Sequence, residues 1–243
     1  RPIDQKMAIQ QINLSDENKL NSFRKSSAIA LLFAYVFNGA IYPFYEDVPE
    51  PFNLIISLLF LQVSFFLVCL VPAFMIFKRT ELLKVFKVEK LDKIQALKIT
   101  VIALFTFPII LITAIISSEF AAKFNLKFDD RLSDFLNNQK ELSLSLLIFG
   151  GIFIAPIVEE IAFRVCLFDY FRALFKKTHI IMPVLLNSLI FGFLHNDPVR
   201  APSLFLLGLI LQYIMLSYKN LLAVILFHCL HNILSFAIFY AFS

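Results

Sequence analysis

The sequence predicts an all-α fold: a polytopic transmembrane helix bundle of about seven spans, with room for an eighth, and a cytoplasmic N-terminus. Three observations carry this. Hydrophobic residues make up 59% of the 243 positions and charged residues only 16%, against about 45–50% and about 25% in an ordinary soluble domain. Mean hydropathy is +0.79, which excludes an intrinsically disordered chain. Seven apolar segments recur, each near the roughly 20 residues that cross a bilayer as a helix.

These spans fall at about 26–45, 54–77, 97–118, 143–168, 180–196, 202–218 and 221–242. No cleavable signal peptide is expected, because the first apolar run starts only after Arg24-Lys25. The stretch from Phe77 to Lys93 is basic and amphipathic, as an interfacial helix would be. A further membrane-embedded helix around Phe120–Leu136 is the candidate eighth, although its charges argue against a full span. Only Tyr218-Lys219-Asn220 separates the last two spans, which predicts a tight antiparallel hairpin. With the N-terminus in the cytoplasm, sixteen Lys and Arg fall on the cytoplasmic side and five outside, as the positive-inside rule requires. An integral, multi-pass membrane location is expected. There is no internal repeat, so residues 1–243 read as a single membrane domain, with the spans of 143–242 carrying its polar motifs.

The net charge of +4 does not mark a nucleic-acid partner, since the basic residues lie in loops between spans. Cys69, Cys166 and Cys229 sit in apolar stretches without a disulfide or zinc spacing.

A charge at the bilayer centre costs about 2.5–3.5 kcal/mol on insertion scales. Ionisable groups inside the spans therefore need a reason. They occur in three places. The fourth span carries Glu159, Glu160 and Arg164. Glu160 and Arg164 are four apart, share a helix face and can pair. Glu159 is rotated by about 100° and must find its partner elsewhere. Pro156, lacking an N–H, opens the helix just before it. The fifth span ends Phe191-Gly192-Phe193-Leu194-His195, and the last carries His228, His231 and Asn232. His228 and Asn232 share a face, while His231 points aside and reads as packing. Asn187, Ser188, Gln62 and Gln212 read as interhelical hydrogen-bonding groups.

A carboxylate and a histidine together can activate water, with Glu159 as general base and His195 orienting the water or shuttling its proton. A histidine N–H and an amide N–H, from His228 and Asn232, can stabilise the oxyanion of a peptide carbonyl under attack. This is a hydrolase without a covalent nucleophile. The H-E-x-x-H of zinc proteases, a G-x-S-x-G serine elbow and an intramembrane aspartate pair are all absent. A zinc ion on Glu159, His195 and His228 is chemically allowed, but local chelate spacing is lacking. The metal-free hydrolase, with no cofactor, is therefore the first reading and a zinc-dependent version of the same protease the second.

Glu159-Glu160-x-x-x-Arg164, Phe191-x-x-x-His195 and His228-x-x-x-Asn232 occur in order and in apolar spans. This trio resembles the E-E-x-x-x-R, F-x-x-x-H and H-x-x-x-N pattern of the CAAX prenyl protease and bacteriocin-processing family of glutamate-dependent intramembrane endopeptidases. The resemblance covers about residues 143–240. It implies that Glu159 and His195 activate the water, that His228 with Asn232 forms the oxyanion site, and that Glu160 and Arg164 support them. It implies as partners the bilayer and a membrane-associated protein or peptide, lipidated in the case of prenylated CAAX proteins. The compact chain looks more like bacterial members linked to bacteriocin immunity and peptide maturation. Two other classes stand beside the protease: a non-catalytic immunity or binding protein, and a proton-coupled transporter, for which no second, similar half is present.

One tension follows from these boundaries. Glu159 lies about 9 residues (roughly 14 Å) and His195 about 15 residues (roughly 22 Å) from the same membrane face. A shared water needs equal depth, which a helical extension through Asp169–Phe175 would restore.

Overall fold

The computed structural model describes residues 14–41, 63–64, 67, 69–124, 148–175, 179–195 and 197–242. The described residues contain helices and no strand. In chain order they form α1 (Leu14–Ile41), α2 (Arg79–Val85) and α3 (Lys93–Lys123). Then comes one unbroken helical rod made of π1 (Gly150–Ile154), α4 (Ala155–Glu160), π2 (Ile161–Leu167) and α5 (Phe168–Leu174). It is followed by α6 (Ile181–Phe193), α7 (Ala201–Tyr218) and α8 (Leu221–Phe242).

Three of these helices, α3, α7 and α8, are long and apolar enough to cross a membrane. The remaining expected spans are present in altered form or lie partly out of view. Helix α1 begins twelve residues before the expected 26 and includes the charged stretch ahead of it. Residues 69–76 are helical, but most of the expected 54–77 span lies outside the described residues, as does Gln62. So does most of the candidate eighth helix: α3 runs on through Phe120 to Lys123, and 125–136 is not described. The interfacial stretch is only partly helical. Helix α2 stops at Val85, and Lys87 turns into the left-handed region at φ 54°.

Helix α3 shows how the sequence sets its own ends. The Asp92 carboxylate accepts the Gln95 backbone N–H at 2.7 Å, and the Gln95 side chain accepts the Asp92 N–H at 3.1 Å. This reciprocal cap satisfies two donors that begin every helix unpaired. Along the rod, Thr100, Thr106, Thr113 and Ser117 return their hydroxyls to backbone carbonyls. Polar groups are thereby satisfied internally, as a hydrocarbon environment demands. The outer face presents Leu104, Phe105, Ile112 and Ile116, with Phe105 75% exposed. In water such a face would be costly; against lipid tails it is neutral.

Helices α6 and α7 approach most closely, and two glycines permit it. A Cβ on Gly192 would stand 2.9 Å from the Ala201 carbonyl oxygen, and one on Gly208 would meet Ser188 at 3.2 Å. The predicted α7–α8 hairpin is present. Lys219 takes a left-handed turn at φ 52°, and the Asn220 side-chain oxygen caps α8 through the Leu222 N–H at 3.0 Å. Helix α8 lies against α3, α4 and π1, and α1 lies against π2 and α5.

The hairpin is tethered to the turn after α2. Asn220 exchanges hydrogen bonds with the Glu89 backbone at 2.8 and 3.3 Å, and the Leu221 N–H donates to the Lys87 carbonyl at 2.9 Å. The Lys87 ammonium reaches the buried Asp169 carboxylate of α5 at 2.8 and 3.0 Å, with Arg24 of α1 at 3.5 Å. Four elements are thus pinned together at one end of the bundle.

Candidate active site

The rod from Gly150 to Leu174 carries the double glutamate, and its winding is irregular around it. In π1 the Ala155 N–H bonds the Gly150 carbonyl, and in π2 the Phe168 N–H bonds the Phe163 carbonyl, five residues back in each case. Such widened turns are rare and recur at functional sites. Between them Pro156, at the start of α4, has no N–H to give. The short α4 turn that holds Glu159 and Glu160 is therefore bracketed on both sides by wide turns.

The rod also contains the helical extension through Asp169 that equal depth would need. It continues without a break to Leu174, which places Glu159 fifteen residues from its end. His195 lies fourteen residues beyond Ile181, where α6 starts from that same end.

Glu160 and Arg164 pair as their spacing predicts. Arg164 Nε donates to Glu160 Oε2 at 2.7 Å, and both side chains are 0% exposed. The second oxygen of Glu160 accepts from His228 Nδ1 at 2.8 Å. A carboxylate held by a guanidinium is an acceptor, so Nδ1 carries the proton. The opposite ring atom, His228 Nε2, faces Glu159 Oε2 at 3.9 Å. Glu159 keeps 21% of its side chain exposed. Its partner from another helix is thus His228.

Asn232, one turn after His228, donates one amide N–H to the Gly151 carbonyl in π1 at 2.8 Å. Its second N–H is left for another acceptor. His195 Nδ1 donates to the Phe191 carbonyl at 2.7 Å, which leaves Nε2 as the lone-pair atom of the neutral ring. That carbonyl belongs to the last turn of α6, where helix geometry leaves acceptors unpaired. His195 makes no hydrogen bond or ion pair with Glu159 or His228. The Phe191 ring makes edge contacts with both histidines, its centroid 4.8 Å from His195 and 6.1 Å from His228. The Arg164 guanidinium sits 5.3 Å from the same ring.

The structure therefore gathers Glu159, Glu160, Arg164 and His228 into direct contact, ties Asn232 to the same helix, and joins His195 through Phe191. The expected donor at His228 differs in one respect. Its Nδ1–H is already engaged by Glu160, so a hydrogen bond to substrate would require a proton on Nε2. Among the described residues, no three His, Cys, Asp or Glu side chains converge as metal ligands would. His231 packs edge-on against Phe107 at 5.4 Å, and the exposed His179 takes the Ile181 N–H at 3.4 Å. The cysteines are free thiols.

Two contributors have roles that residue type alone does not reveal. Phe191 was part of a motif, but its contact with both histidines depends on helix crossing. Gly151 contributes only a carbonyl, for which its residue type gives no signal.

Residues 141–234 match the family model described as type II CAAX prenyl endopeptidase, Rce1-like. No curated protein and no solved structure matches the chain. The matched segment contains all three motifs and runs from just before π1 into α8. Over this segment, which is less than half of the chain, the sequence is similar to the CAAX prenyl protease family. The family implies a CAAX-type protease, a membrane-associated protein as substrate, and an integral membrane setting that the apolar helices suit.

Proposed function

We propose that this protein is a glutamate-type intramembrane endopeptidase that hydrolyses a peptide bond of a membrane-associated substrate with water activated at Glu159. The supporting observation is the contact between Glu159 and His228, a partly exposed carboxylate set 3.9 Å from an imidazole nitrogen whose far side is locked on Glu160.

In this reading Glu159 takes a proton from the attacking water, and the hydroxide oxygen adds to the peptide carbonyl carbon. His195 holds the water through Nε2. The carbonyl oxygen gains charge, which the free N–H of Asn232 stabilises. His228 receives the proton from Glu159 at Nε2 and in that form adds a second N–H to the oxyanion. Collapse of the tetrahedral intermediate breaks the C–N bond, and the proton passes to the leaving amine. Glu160 and Arg164 do not touch the substrate; they fix the His228 ring. A general base of this kind contributes about 10²–10⁴-fold to the rate.

The direct test uses purified protein in lipid vesicles, with peptides bearing a C-terminal CAAX sequence in farnesylated and unmodified form. Cleavage that Glu159→Gln lowers at least a hundredfold supports the reading, and preference for one form names the substrate class. Equal cleavage by wild type and a folded Glu159→Gln protein would overturn it.

A further inference from the structure

Arg164 is fully buried in the bundle, and Glu160 occupies only its Nε. The other end of the guanidinium meets two neutral amides from helices α6 and α7. An amide N–H cannot face a guanidinium N–H, so the Asn187 amide stands with its oxygen towards Arg164. In that orientation Asn187 Oδ1 accepts from Arg164 Nη1 at 2.8 Å, and Nδ2 donates to the Phe163 carbonyl at 3.2 Å. With Asn187 Oδ1 so placed, the Gln212 amide 3.1 Å away turns its N–H towards it; Gln212 thus holds Asn187 and makes no bond of its own to Arg164, whose Nη1 lies 3.4 Å from the same atom. Asn187 and Gln212 are both 0% exposed.

Two primary amides deep among apolar helices are expensive unless something requires them. Neither has a charge to neutralise, since Arg164 and Glu160 already balance. Their effect is geometric. A guanidinium held only at Nε can swing about its last bond and offer Glu160 any of several donors. Held at Nη1 as well, it keeps Nε on Oε2 and leaves Oε1 for His228.

We infer that Asn187, supported by Gln212, is a positioning residue for the reactive site: the pair sets Arg164, Arg164 sets Glu160, and Glu160 sets which nitrogen of His228 faces Glu159. This deepens the proposed function and rests on it for the catalytic meaning of His228. The relay itself is a statement about hydrogen bonds and is testable without any substrate.

The experiment follows the imidazole N–H of His228 by nitrogen-15 NMR of the whole protein in detergent micelles, with the signal assigned by its loss in His228→Gln. Wild type should show the Nδ1–H form with slow solvent exchange of that proton. Asn187→Leu and Gln212→Met preserve volume and remove the amides; each should speed this exchange at least tenfold or admit the Nε2–H form. Ser188→Ala, which removes a buried hydroxyl without a hydrogen-bond partner on the same helix, should leave the signal as in wild type. An unchanged His228 signal in both folded amide variants would overturn the relay. So would an equal change in Ser188→Ala, which would reveal a general packing response. If Asn187→Leu does not fold, Gln212→Met decides the question alone. Should the NMR result hold while no proteolysis is ever found, the positioning stands and the protease reading fails.

Discussion

His228 of α8 gives its Nδ1 proton to Glu160 of α4 across 2.8 Å, in a site where neither carboxylate oxygen of Glu160 reaches solvent. The bond joins residues 68 apart in sequence and separates two adjacent glutamates into different tasks. Glu160 is consumed by Arg164 and His228. Glu159 stays open to a reactant.

Stability and activity should come apart at this pair. Glu160→Gln or Arg164→Met alone leaves one buried charge without its partner and should cost about 3–5 kcal/mol. The double variant Glu160→Leu/Arg164→Met replaces the whole pair with apolar groups and should recover most of that loss. It should still be inactive, because His228 has lost the acceptor that orients it. Thermal unfolding in detergent, read beside peptide cleavage, checks both halves.

At the other end of the bundle, Asp169 is 5% exposed and depends chiefly on Lys87. Lys87→Ala should leave that carboxylate with Arg24 at 3.5 Å alone and lower stability by about 1–3 kcal/mol. Lys87→Arg should restore most of it. The same unfolding measurement applies, with hydrogen exchange at Leu221 reporting whether the hairpin tether loosens.

The α6–α7 loop supplies a pH dependence. Partial burial works to raise the Asp197 carboxyl, but the Arg200 N–H and guanidinium and the Val199 N–H outweigh it. They hold it below the ordinary aspartate value of 3.8. A carboxyl lowered on folding stabilises the folded state at pH values above its unfolded value, and that contribution is lost as pH falls through the folded one. Wild type should therefore unfold at a higher temperature than Asp197→Asn near neutral pH, and the gap should close below pH 3.8.

Close packing makes a further prediction. A methyl group on Gly192 would press on the Ala201 carbonyl and the Phe205 backbone nitrogen at 2.9 and 3.2 Å. Gly192→Ala should cost about 1–3 kcal/mol by overpacking and shift His195, three residues on. Gly150→Ala meets nothing within 4 Å and should be neutral in the same assay.

Much of this was legible in the residues alone. Four-residue spacing on a helix is sufficient to pair Glu160 with Arg164, and the rotation between neighbours is sufficient to send Glu159 to another helix. The Tyr218-Lys219-Asn220 turn was equally plain. The widened turns around α4 were not, because glycine and proline announce irregularity without its geometry. Nor was the occupied Nδ1 of His228, since a tautomer is decided by whichever helix crosses opposite. Asn187 and Gln212 were readable as hydrogen-bonding groups, but the arrangement in which Gln212 holds Asn187 against Arg164 required the packing of three helices.

Glu159 as the base for proteolysis is open to a direct test in a host membrane. Wild type and Glu159→Gln should be expressed at matched levels in the same host membrane, and new protein termini compared in membranes and medium. The account predicts termini present with wild type and missing with Glu159→Gln, clustered on membrane-associated substrates. Identical terminus profiles from two folded proteins, with a host phenotype rescued equally by both, would contradict it and leave a binding role in its place.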